Sequence, residues 1–213
     1  MTVANGRNWP SHLLPASQAA LRLPGWNNGS ALLPTFVFQT APASLAFTES
    51  LLAVRARFKR MKAIPPWVRP GIGGLATGAL AAVAAVWLGS GGVTGGGYDT
   101  LLDALSGRLT LGVLLALCVL KLAATVMSYG SGGAGGIFAP ALFIGGMLGG
   151  AVGWLDVSLL HHPETEVGAF ALVGMGAVFA GAVRAPITSV LIIFEMTNGY
   201  SLVLPLMIAN MTA

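Results

Sequence analysis

A glycine-rich stretch that leads directly into an apolar helix is the segment of this chain best suited to chemistry. Residues 128–150 read SYGSGGAGGIFAPALFIGGMLGG, and Pro140 falls in the expected first turn of the helix. The first amides of a helix have no intrahelical acceptor and carry partial positive charge, and glycine lets an ion approach the backbone closely. The segment therefore predicts an anion site made of backbone amides, with Gly136, Ile137 and Phe138 as first candidates.

The loop supplies the other residues of the predicted site, and its glycines also have a simpler explanation. Small residues let membrane helices approach each other closely, so the glycines could serve packing alone. Nucleotide binding is excluded more firmly, because no strand precedes the loop and no Gly-Lys-Ser/Thr ending follows it. The remaining loop residues of the predicted site are Ser131, Gly132, Gly133, Gly135 and Pro140.

Three charged residues, Lys121, Arg184 and Glu195, lie inside apolar sequence, where an ionisable side chain is costly and often functional. Lys121 could add positive potential near an anion path, or its long side chain could extend to the membrane surface. Arg184 directly precedes an Ala-Pro helix start and is expected to anchor the chain at a surface or bind a loop carbonyl. Glu195 is expected to end a helix near water, so only Lys121 joins the candidate site.

Residues that could make an enzyme or a metal centre are few. His161 and His162 lie near Glu164 and Glu166 in a polar connector, without the helical spacing that metal ligands usually show. No Ser-His-Asp, Cys-His or paired-carboxylate arrangement is evident. The single cysteine, Cys118, is expected to be a small buried hydrophobe. We therefore expect no enzyme, no metal and no cofactor.

The composition indicates that most of the chain lies in a membrane. Only 8% of residues are charged, 55% are hydrophobic, and the mean hydropathy is +0.79, whereas soluble domains carry about 25% charged residues. Apart from tyrosines, residues 70–98, 127–155 and 196–213 contain no ionisable side chain, and a membrane span needs about 20 apolar residues. The sequence predicts an integral, multi-pass protein of the lipid bilayer, which we expect in the cell membrane.

The net charge of +4 does not indicate nucleic-acid binding, because the basic residues are concentrated beside the membrane segments. Six of the eleven fall within residues 55–69. The positive-inside tendency would place this juxtamembrane segment in the cytoplasm, although re-entrant folds often depart from that tendency, so the orientation stays open.

The pattern divides the chain into residues 1–46 and residues 47–213. Four prolines within residues 1–34 and an Asn-Asn-Gly cluster predict an irregular or poorly ordered segment in the first part. The second part predicts a membrane domain that stops within an apolar run, so the chain is expected to be truncated. The expected helices cover residues 47–61, 70–88, 98–106, 109–127, 137–153, 167–183, 186–197 and 202–213.

Two motifs resemble the CLC family of chloride channels and chloride/proton antiporters. Residues 130–140, GSGGAGGIFAP, are similar to the GxFxP-type filter signature of that family. Residues 174–188, GMGAVFAGAVRAPIT, and 192–197, IIFEMT, are similar to a later family motif. The resemblance covers about residues 67–213 well and residues 1–34 not at all.

The resemblance implies an all-α membrane protein, a helical bundle of two inverted repeats with discontinuous helices, of which this chain is mostly the second repeat. It implies chloride as the transported ion, with the backbone of Ile137 and Phe138 lining the central site. It also implies a homodimer in which each subunit has its own pathway and residues 186–213 supply part of the contact. The contact candidates are Ile187, Leu191, Leu202 and Leu206.

The departures from the family pattern leave alternatives open. The first-half filter segments, of the GSGxP and GxEGP kinds, have no counterpart, and Tyr200 is not in the position of the tyrosine that completes the family's site. The chain could be part of a channel or antiporter subunit, or a truncated, non-conducting fragment that only associates with other subunits. A different secondary transporter would require the motif match to be accidental. Channel and antiporter cannot be distinguished from these residues.

Overall fold

The computed structural model describes residues 29–60, 65, 67–89, 91–133, 135–160, 166–197 and 203–212, and these residues form helices and connecting loops without a strand. This confirms the predicted all-α fold. The helices are α1 (Gly29–Arg60), α2 (Arg69–Leu88), α3 (Tyr98–Leu105), α4 (Leu111–Gly130), α5 (Phe138–Leu160), α6 (Glu166–Val183), α7 (Pro186–Thr197) and α8 (Val203–Thr212).

Three of the described helices are long and apolar enough to cross a membrane. They are α2, α4 and the part of α5 that covers Phe138–Ser158. Two shorter apolar segments, Val167–Val183 and Pro186–Met196, fall in α6 and α7. The chain is thus an integral, multi-pass membrane protein, as its composition predicts.

Helix α1 begins earlier than the sequence pattern predicts. The expectation that residues 1–46 are irregular is wrong for residues 29–46, which are helical, and residues 1–28 lie outside the described part of the chain. Pro34 favoured a loop, but prolines are tolerated in membrane helices. The better signal was the uncharged run of residues 29–48, which is long enough for a span.

Helices α5 and α6 form the centre of the structure, with their backbones in direct contact. A Cβ atom added at Gly145 would lie 2.5 Å from the carbonyl oxygen of Gly174, and one added at Gly153 would lie 2.8 Å from the Cα of Val167. Gly149, between them on the same stripe, faces the backbone of α6 in the same way. Here glycine serves close helix packing, as in other membrane bundles.

Helix α4 packs against both α2 and α5, and the glycine loop follows it in the chain. The Thr77 hydroxyl on α2 lies 2.8 Å from the Gly73 carbonyl of its own helix and 3.2 Å from the Ala124 carbonyl on α4, so its proton is shared between the two acceptors. Gly73, one turn earlier on α2, leaves room for the Ser131 side chain, because a Cβ atom there would overlap the Ser131 hydroxyl. Helix α2 therefore packs against the C-terminal end of α4.

Helices α7 and α8 pack on α6 and present an apolar face outward. The Ser189 hydroxyl donates to the Gly176 carbonyl at 2.6 Å, which ties α7 to α6. Ile187 is 75% exposed and Leu191 is also exposed, as subunit-contact candidates should be. Leu206 is only 1% exposed and packs against Gly176, so the expectation that it contacts a partner is wrong. Leu202 lies outside the described residues.

Candidate functional site

Helix α4 ends in a Schellman motif that turns the chain into the glycine loop. The Gly132 amide donates to the Tyr129 carbonyl, and the Gly133 amide donates to the Ser128 carbonyl, both at 3.1 Å. Gly132 has φ 94°, a conformation that side chains disfavour, which explains the glycine at this position. The Ser131 hydroxyl donates to the Ser128 carbonyl at 2.9 Å. Ser131, Gly132 and Gly133 thus shape the loop.

The start of α5 presents backbone amides that have no protein acceptor in the described part of the chain. The Ala141 amide donates to the Ile137 carbonyl, so Ile137 immediately precedes the helix. No described carbonyl accepts a hydrogen bond from the amides of Gly136, Ile137 or Phe138. A Cβ atom added at Gly136 would meet no atom within 4 Å. The three predicted amides therefore lie together at a helix N-terminus with open space beside them.

The side chains around this helix start keep it fixed and apolar. The Phe138 ring packs edge-to-face against Phe179 of α6, with ring centroids 4.9 Å apart. This contact joins the first residue of α5 to the buried centre of the bundle. Pro140, in the first turn, has no amide hydrogen, so it fits where a donor would have no intrahelical acceptor. The helix start is thereby held in place beside the loop.

A cavity of about 150 Å³ lies beside the loop and brings several predicted residues together. It contains Lys121, Gly135, Gly136 and Pro140 in its wall. Ile137 and Phe138 adjoin it in the chain without lining it. The lining residues are Thr77, Val93, Gly95, Lys121, Ala124, Thr125, Ser128, Tyr129, Gly135, Gly136 and Pro140.

Lys121 is buried inside the protein, with 2% of its surface exposed. Its Nζ donates to the carbonyls of Gly92, Val93 and Gly95 at 3.0, 3.1 and 2.8 Å. The alternative that its side chain extends to the membrane surface is therefore wrong. The side chain stays inside because the loop between α2 and α3 offers three acceptors next to it.

The polar residues that share the cavity with Lys121 were not predicted from the sequence. Thr125 and Ser128 follow Lys121 at four and seven residues, which places all three on one face of α4. The Thr125 hydroxyl donates to the Lys121 carbonyl at 2.7 Å. This polar stripe on an otherwise apolar helix was the available signal. Thr77 comes from α2 and has no comparable signal in the sequence.

The other charged residues of apolar sequence lie away from this cavity. Arg184 is exposed in the connection between α6 and α7 and has φ 57°. Glu195 is exposed on α7. Within the described ranges no three His, Cys, Asp or Glu side chains are grouped to hold a metal ion, and residues 161–165 lie outside those ranges.

Comparison with known proteins gives consistent matches. The family described as "Voltage gated chloride channel" matches residues 30–213. The "H(+)/Cl(-) exchange transporter ClcA" of Vibrio campbellii (strain ATCC BAA-1116) is 45% identical over 121 residues, which are 57% of this chain and 26% of that protein. The crystal structure of "a slow cyanobacterial Cl-/H+ antiporter" matches with a TM-score of 0.73 and 27% identity. That match covers 90% of this chain and 43% of the other, so this chain spans less than half of either relative.

Proposed function

Because this chain belongs to the voltage-gated chloride channel (CLC) family, we propose that it forms part of a pathway that carries chloride across a membrane. The anion is bound by the backbone amides of Gly136, Ile137 and Phe138. The observation that carries the proposal is that these three amides meet no described acceptor at the start of α5. A helix N-terminus stabilises an anion there without a cationic ligand.

The surroundings of the amides support binding of a small, weakly hydrated anion. The side chains of Ile137 and Phe138 are apolar, and α5 is an apolar helix fixed against α6. Amide dipoles act more strongly on an ion in such surroundings than in water, because less solvent screens them. A single anion also fits the size of the cavity beside the loop, about 150 Å³.

Exchange of chloride for protons is the transport mode that we propose. The two similar proteins are named an H(+)/Cl(-) exchange transporter and a Cl-/H+ antiporter. The pathway involves binding and movement of ions without a covalent reaction step, so no enzymatic activity is proposed. We also propose that the protein lies in the cell membrane.

A homodimer is the assembly that we propose, with α7 in the subunit contact. Ile187, Leu191, Met207 and Met211 surround an apolar groove of about 160 Å³ on the outside of α7 and α8. Their exposure gives a contiguous apolar surface that lipid or a second subunit would cover.

A second candidate function is association with other membrane subunits without conduction. In that function the exposed apolar side chains of α2, among them Leu75, Val86 and Trp87, would contact lipid or the other subunits. In this case the amide site would exist in the chain without forming a continuous pathway.

Transport assays distinguish these candidates. The purified chain is reconstituted into liposomes loaded with chloride, and chloride efflux and internal pH are recorded together. Chloride efflux accompanied by proton uptake supports exchange. Chloride efflux at constant internal pH supports a channel. Folded, inserted protein that moves neither ion supports the association-only function and contradicts the proposed pathway.

A further inference from the structure

The buried ammonium of Lys121 joins three parts of the structure. It is carried by α4, it donates to three carbonyls of the loop formed by residues 91–97, and it lies 4.8 Å from the centroid of the Phe143 ring on α5. A lysine ammonium has three N–H groups, so the three loop carbonyls use its full donor capacity. The face of the aromatic ring adds a cation–π contact.

The charge of Lys121 is balanced by dipoles. In the described part of the chain the single ion pair joins Arg108 and Asp103, so no described carboxylate pairs with Lys121. Carbonyl oxygens carry only partial negative charge. The loop backbone must therefore stay in place for the buried ammonium to remain stabilised. Conversely, removal of the ammonium takes away the hydrogen bonds that these carbonyls accept from it.

The loop that Lys121 holds is closely packed against α3 and α5. A Cβ atom added at Gly97 would lie 2.5 Å from the Gly92 carbonyl oxygen and 2.7 Å from the Phe143 ring. Gly97 itself has φ 69°. Val93 is 5% exposed, so its side chain faces inward. The loop is therefore tightly packed at Val93 and Gly97, whereas Gly91 and Gly95 have open space beside them, and the ammonium bonds to carbonyls in the packed part and at Gly95.

The same loop forms part of the wall of the cavity beside the candidate anion site. Val93 and Gly95 line that cavity together with Lys121, Gly135 and Gly136. A displacement of the 91–97 loop would therefore change the space next to the exposed glycine amides.

We propose that Lys121 is a positioning residue that holds the 91–97 loop against α4 and α5 and so maintains the cavity wall next to Gly135 and Gly136. Its protons are all donated to the loop, so it is not a direct ligand of the anion. We call this attachment of the 91–97 loop to Lys121 the clamp. The consequence for transport rests on the proposed function, whereas the clamp does not.

Cysteine accessibility measures the clamp without requiring transport. Val93→Cys is made in a Cys118→Ala background, which removes the only native cysteine, and its labelling by a membrane-permeant maleimide is timed. In Lys121→Met the loop loses its charge-assisted hydrogen bonds, and we expect labelling about tenfold faster or more, because the loop opens more often. Thr94→Cys is the matched control. Thr94 is already exposed, so its labelling rate should not depend on Lys121.

Lys121→Gln distinguishes the effect of the hydrogen bonds to the loop from the effect of the positive charge. Glutamine keeps an N–H donor without the charge, so it should slow the labelling of Val93→Cys relative to Lys121→Met and recover part of the chloride flux. It also keeps the test decisive if Lys121→Met does not insert. A Val93→Cys rate that is the same with lysine, glutamine and methionine would overturn the clamp.

The chloride dependence of flux supplies the functional readout. If the cavity wall is displaced, Lys121→Met should raise the chloride concentration for half-maximal flux more than it lowers maximal flux per folded protein. Equal flux defects in the methionine and glutamine variants, with unchanged labelling, would assign Lys121 a purely electrostatic effect and overturn the proposal. Absence of flux from the unmodified chain would contradict the proposed function, and the labelling result would still decide the clamp.

Discussion

Replacement of Gly149 by alanine is expected to force α5 and α6 apart. The new Cβ atom would overlap the carbonyl oxygen of Phe170 and lie 2.9 Å from the Cα of Ala171, and both of these are backbone atoms. Ordinary contacts of a Cβ atom begin at about 3.4 Å. No side-chain rotation relieves a contact with backbone, so the helices must separate by about 0.5–1 Å in this tightly packed core.

The expected loss of stability follows from two opposing terms. Overpacking a close-packed core costs about 1–3 kcal/mol, and replacement of a helical glycine by alanine returns up to about 1 kcal/mol. We expect a net destabilisation of about 1–2 kcal/mol, which lowers the folding equilibrium constant by about fivefold to thirtyfold. The measurement is reversible unfolding of the chain in mixed micelles of increasing dodecyl sulfate content, followed by circular dichroism.

Gly150→Ala is the matched control, because the neighbouring glycine has room for a methyl group. A Cβ atom at Gly150 would lie 3.5 Å from a methyl carbon of Leu114, an ordinary van der Waals contact. This variant should be neutral or slightly more stable. Equal stability of the Gly149→Ala and Gly150→Ala variants would refute the close backbone contact between α5 and α6.

Three further predictions concern the glycine loop and the outer helices. Gly132→Ala should destabilise the chain by about 1 kcal/mol, because its φ of 94° disfavours a side chain. Gly135→Ala, at a position with open space, should not destabilise it. The same unfolding assay compares the two variants, and equal stabilities would contradict the helix-end geometry. Leu191→Gln should lower the dimer fraction measured by cross-linking, since its side chain is exposed. Leu206→Ala should instead lower stability by about 2–4 kcal/mol, because the leucine is buried. A lower dimer fraction in Leu206→Ala at unchanged stability would contradict the assignment of Leu206 to the core and of Leu191 to the subunit contact.

Most helix positions could be predicted because the chain marks their ends. Glycine clusters and Ala-Pro pairs separate apolar runs, and helix α7 begins and ends at the predicted residues, 186 and 197. The start of α1 was missed because prolines in a membrane helix look like loop signals. In a soluble protein a proline is a reliable sign of a helix end. In a membrane helix it is less reliable, because neighbouring helices can satisfy the backbone groups that the proline leaves unpaired.

The parts that escaped prediction depend on contacts between distant residues. Lys121 meets carbonyls that precede it by 26 to 29 residues, and no local pattern specifies such a pairing. The inward direction of Leu206 was also hidden, because α8 is apolar on most sides and lacks a polar face that would orient it. The position of Gly136, Ile137 and Phe138 at a helix start was easier to predict, since a glycine loop followed by an apolar helix is a local feature.

Chloride binding to the Gly136→Val variant tests the backbone-amide site most directly. Gly136 lies outside the positive-φ region and has open space beside it, so valine should fold in and place its methyl groups next to the amides. Loss of one hydrogen bond to a charged ligand is expected to weaken binding by about tenfold to a hundredfold. Isothermal titration of the chain with chloride measures this change, with Gly112→Val as the control at another open glycine. Weakened binding in Gly136→Val alone is the result that we predict, and unchanged chloride affinity in a folded Gly136→Val variant would contradict the amide site.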